Sequence, residues 1–256
     1  MEELFNIAYT IDDNEEQIKM LEMSIDTLLN FNKVDNIYIM YFCDNLDIIK
    51  NKLSKFNNIV NIEYFFFDID LVDKYFPELP NVINGRLRYP SLARWFMTKI
   101  IPYDNYWYID TDVLFNANIR EIFLNYQKDK LFFAFNGKTY NYNQNNNLIP
   151  FIKYYHTLNM NGGIVYTNAK LFNEMNLFNE IVEHYKQNLS DIIFVNQSTY
   201  FYLFDKYSNI CHVEYSDIYN ITPIYNKDNS NIKIYHFNGP HKDLFFKYYD
   251  IIMKKL

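Results

Sequence analysis

Tyr106-Trp107-Tyr108-Ile109-Asp110-Thr111-Asp112-Val113-Leu114-Phe115 sets two carboxylates into an otherwise apolar run. Its aromatic and β-branched content reads as one strand over residues 107–115. Two acids buried there without partners would be costly. A divalent cation removes that cost by supplying the positive charge both lack. Residues i and i+2 of an extended segment project to the same side, so Asp110 and Asp112 can reach one ion. A strand that simply ends in a polar turn would also account for the triplet.

Around this stretch the pattern alternates strand and helix, which predicts an α/β layer fold. Strands are expected at residues 6–11, 37–42, 59–67, 163–167 and 232–237. Helices are expected at residues 15 to about 31, 46–56, 91–101 with Ser91 as cap, 171–188, 198–204 and 243–256. Pro77 and Pro80 break the chain into a loop, and residues 141–147 form a polar one. No internal repeat or flexible linker divides the sequence, so residues 1–256 are read as one domain.

Composition narrows the function. The 256 residues are 49% hydrophobic, 20% aromatic and 21% charged, which fits a globular chain and opposes disorder. A net charge of −7 opposes general nucleic-acid binding, which needs a basic field. Cys43 and Cys211 sit in apolar stretches without metal spacing, so a reducing compartment is expected. The acidic start Met1-Glu2-Glu3-Leu4 is unlike a secretory signal. No apolar run approaches the ~20 residues that span a bilayer. A cytoplasmic location is expected, with weak contact at the inner membrane face open to the last helix. There, Phe245, Phe246, Tyr248, Tyr249, Ile251 and Ile252 lie beside Lys247, Lys254 and Lys255. Packing of that helix on the domain is the competing expectation.

The bias towards Asn, Ile, Lys, Tyr and Phe makes scarce residue types informative. The five glycines are Gly85, Gly137, Gly162, Gly163 and Gly239, and the arginines are Arg86, Arg88, Arg94 and Arg120. His236-Phe237-Asn238-Gly239-Pro240-His241-Lys242 follows a strand. His236 can face a cleft there, Gly239 admits a ligand close to the backbone, and Lys242 offers a point charge to a phosphate. A hairpin turn with a surface lysine would read the same way, and His241 is taken as a surface residue. Arg94 precedes the Asp-Thr-Asp stretch and can bind a diphosphate or lock an aspartate. A solvated basic face is the other reading, retained for Arg86 and Arg88. Asn161-Gly162-Gly163 implies tight clearance at a strand start, or a plain turn. Asn196-Gln197-Ser198 looks like a helix cap.

Taken together and in order, these motifs resemble glycosyltransferase family 8, which includes bacterial lipooligosaccharide α-galactosyltransferases and glycogenin. The resemblance runs from Ile7-Ala8-Tyr9-Thr10-Ile11-Asp12-Asp13-Asn14 through Leu92-Ala93-Arg94 and Tyr108-Ile109-Asp110-Thr111-Asp112-Val113. It continues through Asn161-Gly162-Gly163-Ile164-Val165 and Asn196-Gln197 to His236-x-x-Gly239-x-x-Lys242. Asp-x-Asp is shared by many transferases, whereas its pairing with the terminal motif is more specific.

The resemblance implies a GT-A fold: a single-domain, Rossmann-like α/β architecture around a mixed, mainly parallel sheet. It implies a UDP-sugar donor, with galactose or glucose moved to a glycan or glycolipid with retention. By position, Ala8, Tyr9, Thr10, Ile11, Asp12 and Asn14 would meet the nucleoside, and Arg94 would steady the donor. Asp110, Asp112 and His236 would bind the metal, Mn²⁺ or alternatively Mg²⁺, with Thr111 between them. Gly239 and Lys242 would hold the diphosphate. Asn161, Gly162 and Gln197 would face the sugar, with Gln197, Asn161, Lys242 and Asn196 as the catalytic candidates. The sequence departs from the family at Glu15, where an aromatic is common, and at Asn196 and Ser198, where acids are common. Asp243-Leu244 replaces a Pro-Trp that can follow the lysine. An Asp-x-Asp phosphatase and a binding module that has lost turnover remain alternatives.

Overall fold

The computed structural model describes residues 4–79, 82–83, 86–127, 129–136, 161–188, 195–223, 231–237 and 242–256. Gly85, Gly137, Gly239, His241 and the loop at 141–147 lie outside the described residues, as do the side chains of Arg86, Arg88, Gln197 and Ser198.

The first strand, β1 (Asn6–Ile11), leads into α1 (Glu15–Phe31). Asn14 caps that helix, its side chain accepting from the Gln17 N–H at 3.1 Å, and Glu15 and Glu16 complement the positive end of the dipole. There follow β2 (Asn36–Tyr41), α2 (Leu46–Leu53) with a short 3₁₀ turn, β3 (Asn61–Phe66) and α3 (Asp70–Tyr75). A small ribbon, β4 (Val82–Ile83) with β5 (Arg86–Leu87), precedes α4 (Arg88–Ile100) and β6 (Asn105–Ile109). Next are β7 (Val113–Phe115), α5 (Arg120–Tyr126), β8 (Phe132–Asn136), β9 (Ile164–Asn168), α6 (Ala169–Glu174) and α7 (Leu177–Gln187). The chain ends with α8 (Val195–Lys206), β10 (Cys211–Tyr215), β11 (Ile234–His236) and α9 (Asp243–Met253).

Seven strands form one sheet in the order β10-β8-β9-β6-β1-β2-β3. All pairings are parallel except those of β9, which runs against both neighbours. The expected mixed, mainly parallel α/β sheet is therefore present. Central strands are buried on both faces, as parallel strands covered by helices must be. One core holds Tyr38, Trp95, Phe96, Tyr106 and Tyr200; the other holds Tyr9, Trp107, Phe123 and Phe135. At one end of the sheet Asn6, Asn36 and Asn61 stand in register. Asn36 Nδ2 donates to Asn6 Oδ1 at 2.9 Å, and Asn61 Nδ2 donates to Asn36 Oδ1 at 3.0 Å. This ladder satisfies side-chain amides while pinning three strands against slippage.

Several boundaries differ from expectation. Residues 107–115 do not form one strand. β6 ends at Ile109, and β7 leaves the main sheet to pair antiparallel with β11. The polar Asp110-Thr111-Asp112 segment makes the crossing, with Asp110 partly exposed and Asp112 buried. Ser91 does not cap α4, which begins three residues earlier and carries Pro90 in its first turn, where no N–H bond is forfeited. The stretch 171–188 is two helices, divided at Asn176, whose left-handed φ of 54° ends one and admits the next. Asn196 and Gln197 lie inside the first turn of α8 rather than ahead of it. Both cysteines are free and buried.

The last helix packs on the domain. Phe245 and Ile252 are buried with Met20 of α1 and Leu114 of β7. The Tyr249 hydroxyl donates to Asp26 Oδ2 at 2.5 Å. Phe246, Tyr248 and Tyr249 are partly buried against the same cluster, and Ile251 stays exposed. No helix among the described residues is long and apolar enough to cross a membrane.

Candidate active site

The ends of β1 and β6 open onto a cavity of about 470 Å³. Thr10, Ile11, Asp12, Asn14, Gln17 and Phe42 line it together with Asp110, Thr111, Asp112, Asn196 and Lys242. Arg94 and Tyr108 form part of the wall. A cleft at the carboxyl ends of parallel strands is where open α/β sheets bind ligands.

Its chemical centre is a triad. Ligand atoms of Asp110, Asp112 and His236 all lie within 4.8 Å of one another. His236 Nε2 is 3.2 Å from Asp112 Oδ1 and 3.7 Å from Asp110 Oδ2. The His236 side chain is 1% exposed and that of Asp112 is 9% exposed, so neither relies on bulk water. Yet His236 Nε2 and Asp112 Oδ1 have no hydrogen-bond partner, despite their proximity. Two orphaned buried acceptors turned to a common point fit a cation. Burial opposes ionisation of Asp112, but its neighbours His236 and then Lys242 outweigh it and hold the carboxyl below the usual range. Lys242 Nζ stands 3.6 Å from Asp112 Oδ2.

Gly163 gives the triad its clearance. A Cβ at that position would lie 2.2 Å from His236 Cε1 and 2.7 Å from Asp110 Oδ2. Its carbonyl accepts the Asp110 N–H at 2.8 Å, fixing the backbone of the first acid. Gly162 serves Arg94: its carbonyl accepts from Nη1 at 2.6 Å, and an added Cβ would meet the same nitrogen at 3.1 Å. Arg94 also reaches Asp110 Oδ1 at 3.3 Å and stacks 4.2 Å above the Tyr108 ring. Burial works against its charge, but Tyr108 and Asp110 outweigh that and keep the guanidinium protonated. Arg94 thus locks an aspartate, one of the two roles its position allowed.

Of the remaining expected residues, Thr10, Ile11, Asp12, Asn14, Thr111 and Asn196 line the cavity. Ala8 and Tyr9 do not: both are fully buried, and the Tyr9 hydroxyl pairs with Ser24 at 3.2 Å. Alternation along β1 turns their side chains into the two cores. Asn161 is buried, and its amide oxygen accepts the Gly163 N–H at 2.8 Å.

The structure adds Tyr108, Gln17 and Asn220 to the site. Tyr108 donates to Asp110 Oδ1 and meets Thr10 Oγ1 at 3.2 Å. Gln17 Oε1 accepts from the Thr111 hydroxyl at 2.8 Å, joining α1 to the acidic turn. Asn220 holds the far side of His236. Tyr108 was legible as the residue two before the first acid, on the same strand face; Gln17 and Asn220 carry no local signal.

No protein-family profile matches the chain, and a search of curated proteins finds no relative. Solved structures do match. The galactosyltransferase LgtC, in complex with donor and acceptor sugar analogues, superposes with a TM-score of 0.73 at 14% identity, over 98% of this chain and 96% of that one. Mouse xyloside xylosyltransferase 1 gives 0.63 at 14% identity, over 93% and 98%. The glycosyltransferase GlyE of Streptococcus pneumoniae gives 0.62 at 11% identity, over 99% of this chain and 63% of its own. The chain has the α/β GT-A fold of these glycosyltransferases.

Proposed function

We propose that this protein is a metal-dependent glycosyltransferase of family 8, moving a hexose from a UDP-sugar to a glycan or glycolipid with retention. Galactose and glucose are the favoured sugars. The observation that supports this most is the pair of orphaned buried atoms, His236 Nε2 and Asp112 Oδ1, beside Asp110 and next to a cavity that Asp110, Asp112 and Lys242 line.

Asp110, Asp112 and His236 would hold the ion. Their mixed oxygen and nitrogen set favours Mn²⁺ over Mg²⁺. Bound there, the ion would supply positive charge to a diphosphate leaving group. The chain's own residues do the rest. Lys242 adds a fixed ammonium at the same end, where negative charge grows as the glycosidic bond breaks. Gly239, which lies outside the described residues, would let the backbone come close to the diphosphate. Thr10, Ile11, Asp12 and Asn14 take the nucleoside end. Arg94 and Tyr108 keep Asp110 in place.

Double displacement would need an enzyme nucleophile on the sugar face opposite the leaving group. Asn196 at the cavity wall is an amide and a poor nucleophile, and Gln197 is an amide too. We therefore assign a front-face path. The acceptor hydroxyl attacks from the leaving-group side, a diphosphate oxygen takes its proton, and Gln197 steadies the positive charge on the sugar. Asn161 fixes Gly163, the glycine that gives the triad its clearance.

Incubation with a panel of UDP-sugars and simple glycan acceptors, with product configuration read by NMR, tests this reading. Retained configuration with UDP release is expected. An inverted product or a trapped glycosyl-enzyme adduct contradicts the path. Binding without turnover, or phosphate release without sugar transfer, contradicts the function.

A further inference from the structure

We propose that Asn220 is a positioning residue that fixes the tautomer of His236, so that Nε2 presents a bare lone pair to the acidic pair. The inference rests on the cation reading above for its purpose, but not for its geometry. Asn220 is fully buried and adopts a left-handed φ of 59°, which Asn tolerates better than most residues. Its Nδ2 lies 2.6 Å from the Phe135 carbonyl oxygen. A carbonyl only accepts, so the amide nitrogen must be on that side and Oδ1 on the other. Oδ1 lies 2.7 Å from His236 Nδ1. An amide oxygen also only accepts, so Nδ1 must carry the hydrogen. A neutral imidazole has one N–H, which leaves Nε2 as the acceptor.

That deduction accounts for an otherwise awkward arrangement. Nε2 and Asp112 Oδ1 face each other at 3.2 Å with no hydrogen bond between them. The same segment also fixes the histidine backbone: the His236 N–H donates to the Ile221 carbonyl at 3.0 Å. One two-residue stretch therefore sets both the place and the protonation pattern of the imidazole. The chain of constraint runs from the Phe135 carbonyl through Asn220 and across the ring to the site. Partners of this kind typically alter metal affinity ~10–100-fold when removed.

The test is ¹⁵N NMR of histidine-labelled, metal-free protein over a pH series, which reads the hydrogens on Nδ1 and Nε2 separately. His236→Gln identifies the signal among the five histidines. The expected wild-type signal shows hydrogen on Nδ1 and none on Nε2. In Asn220→Gly, which keeps the backbone conformation, the ring should populate the Nε2–H form, and Mn²⁺ affinity should fall ~10–100-fold. A wild-type ring with hydrogen on Nε2 overturns the proposal whether or not the variant folds. Unchanged Mn²⁺ affinity in a folded Asn220→Gly overturns it too. Failure of the wild type to bind Mn²⁺ overturns the cation reading instead, while the wild-type spectrum still decides the tautomer.

Discussion

The Tyr108 hydroxyl donates to Asp110 Oδ1 at 2.6 Å, a short charge-assisted bond that splits the work of one carboxylate between its two oxygens. Oδ1 is held by Tyr108 and Arg94, and Oδ2 is left for the triad. Tyr108→Phe removes the shorter restraint and keeps the ring under Arg94. Mn²⁺ affinity should fall ~10–100-fold with the fold intact. Calorimetric titration with Mn²⁺, alongside a thermal melt, checks it; equal affinities would leave Tyr108 as packing alone.

Gly163→Ala should empty the site. The added Cβ falls 2.2 Å from His236 Cε1, and His236 is held by β11 pairing and by Asn220. The ring and Asp110 must separate, so metal-dependent UDP binding should vanish. Fluorescence titration with a UDP analogue measures this. Retained binding would mean that the triad is not the cation site.

Lys242→Ala should lower kcat more than it weakens UDP binding, because its charge matters most when the leaving diphosphate carries the most negative charge. Steady-state kinetics beside equilibrium UDP binding separates the two. A rise in KM with kcat unchanged would make Lys242 an anchor only.

Glu180 ties α7 to α8, the helix that carries Asn196. Lys206 lies 2.8 Å from its carboxylate, and the Tyr202 and Tyr207 hydroxyls donate to it at 2.9 and 2.7 Å. Burial opposes ionisation, but the Lys206, Tyr207 and Tyr202 hydrogen bonds outweigh it and hold the carboxyl below its ordinary 4.5. A depressed folded value adds stability above pH 4.5, and that stability is lost as pH falls below it. Melting temperature against pH should therefore drop more steeply through this range in wild type than in Glu180→Gln. Parallel curves would show that the cluster contributes nothing.

Much of this was legible because scarce residues stand where the fold needs them. Asp110 and Asp112 in an apolar run, Gly163 in a chain with five glycines, and Lys242 after a histidine strand all announce themselves. The order of β1, α1 and β2 follows from hydrophobic periodicity. The split of β6 from β7 was hidden, since an apolar run does not say which sheet its two halves join. β8, β10, α3 and α5 were unassigned, because aromatic residues fill strands, helices and loops alike in this composition. Asn220 and Gln17 act through partners distant in sequence, Phe135 with His236 and Thr111, and no local pattern encodes such pairings.

The most direct measurement is UDP release from UDP-galactose and UDP-glucose, with Mn²⁺ and then with excess chelator, for wild type and Asp112→Asn. Turnover should require Mn²⁺ and disappear both in chelator and in the variant, since Asp112 supplies one of the two orphaned atoms. Full turnover in chelator, or an active Asp112→Asn, would contradict metal-dependent transfer at this triad.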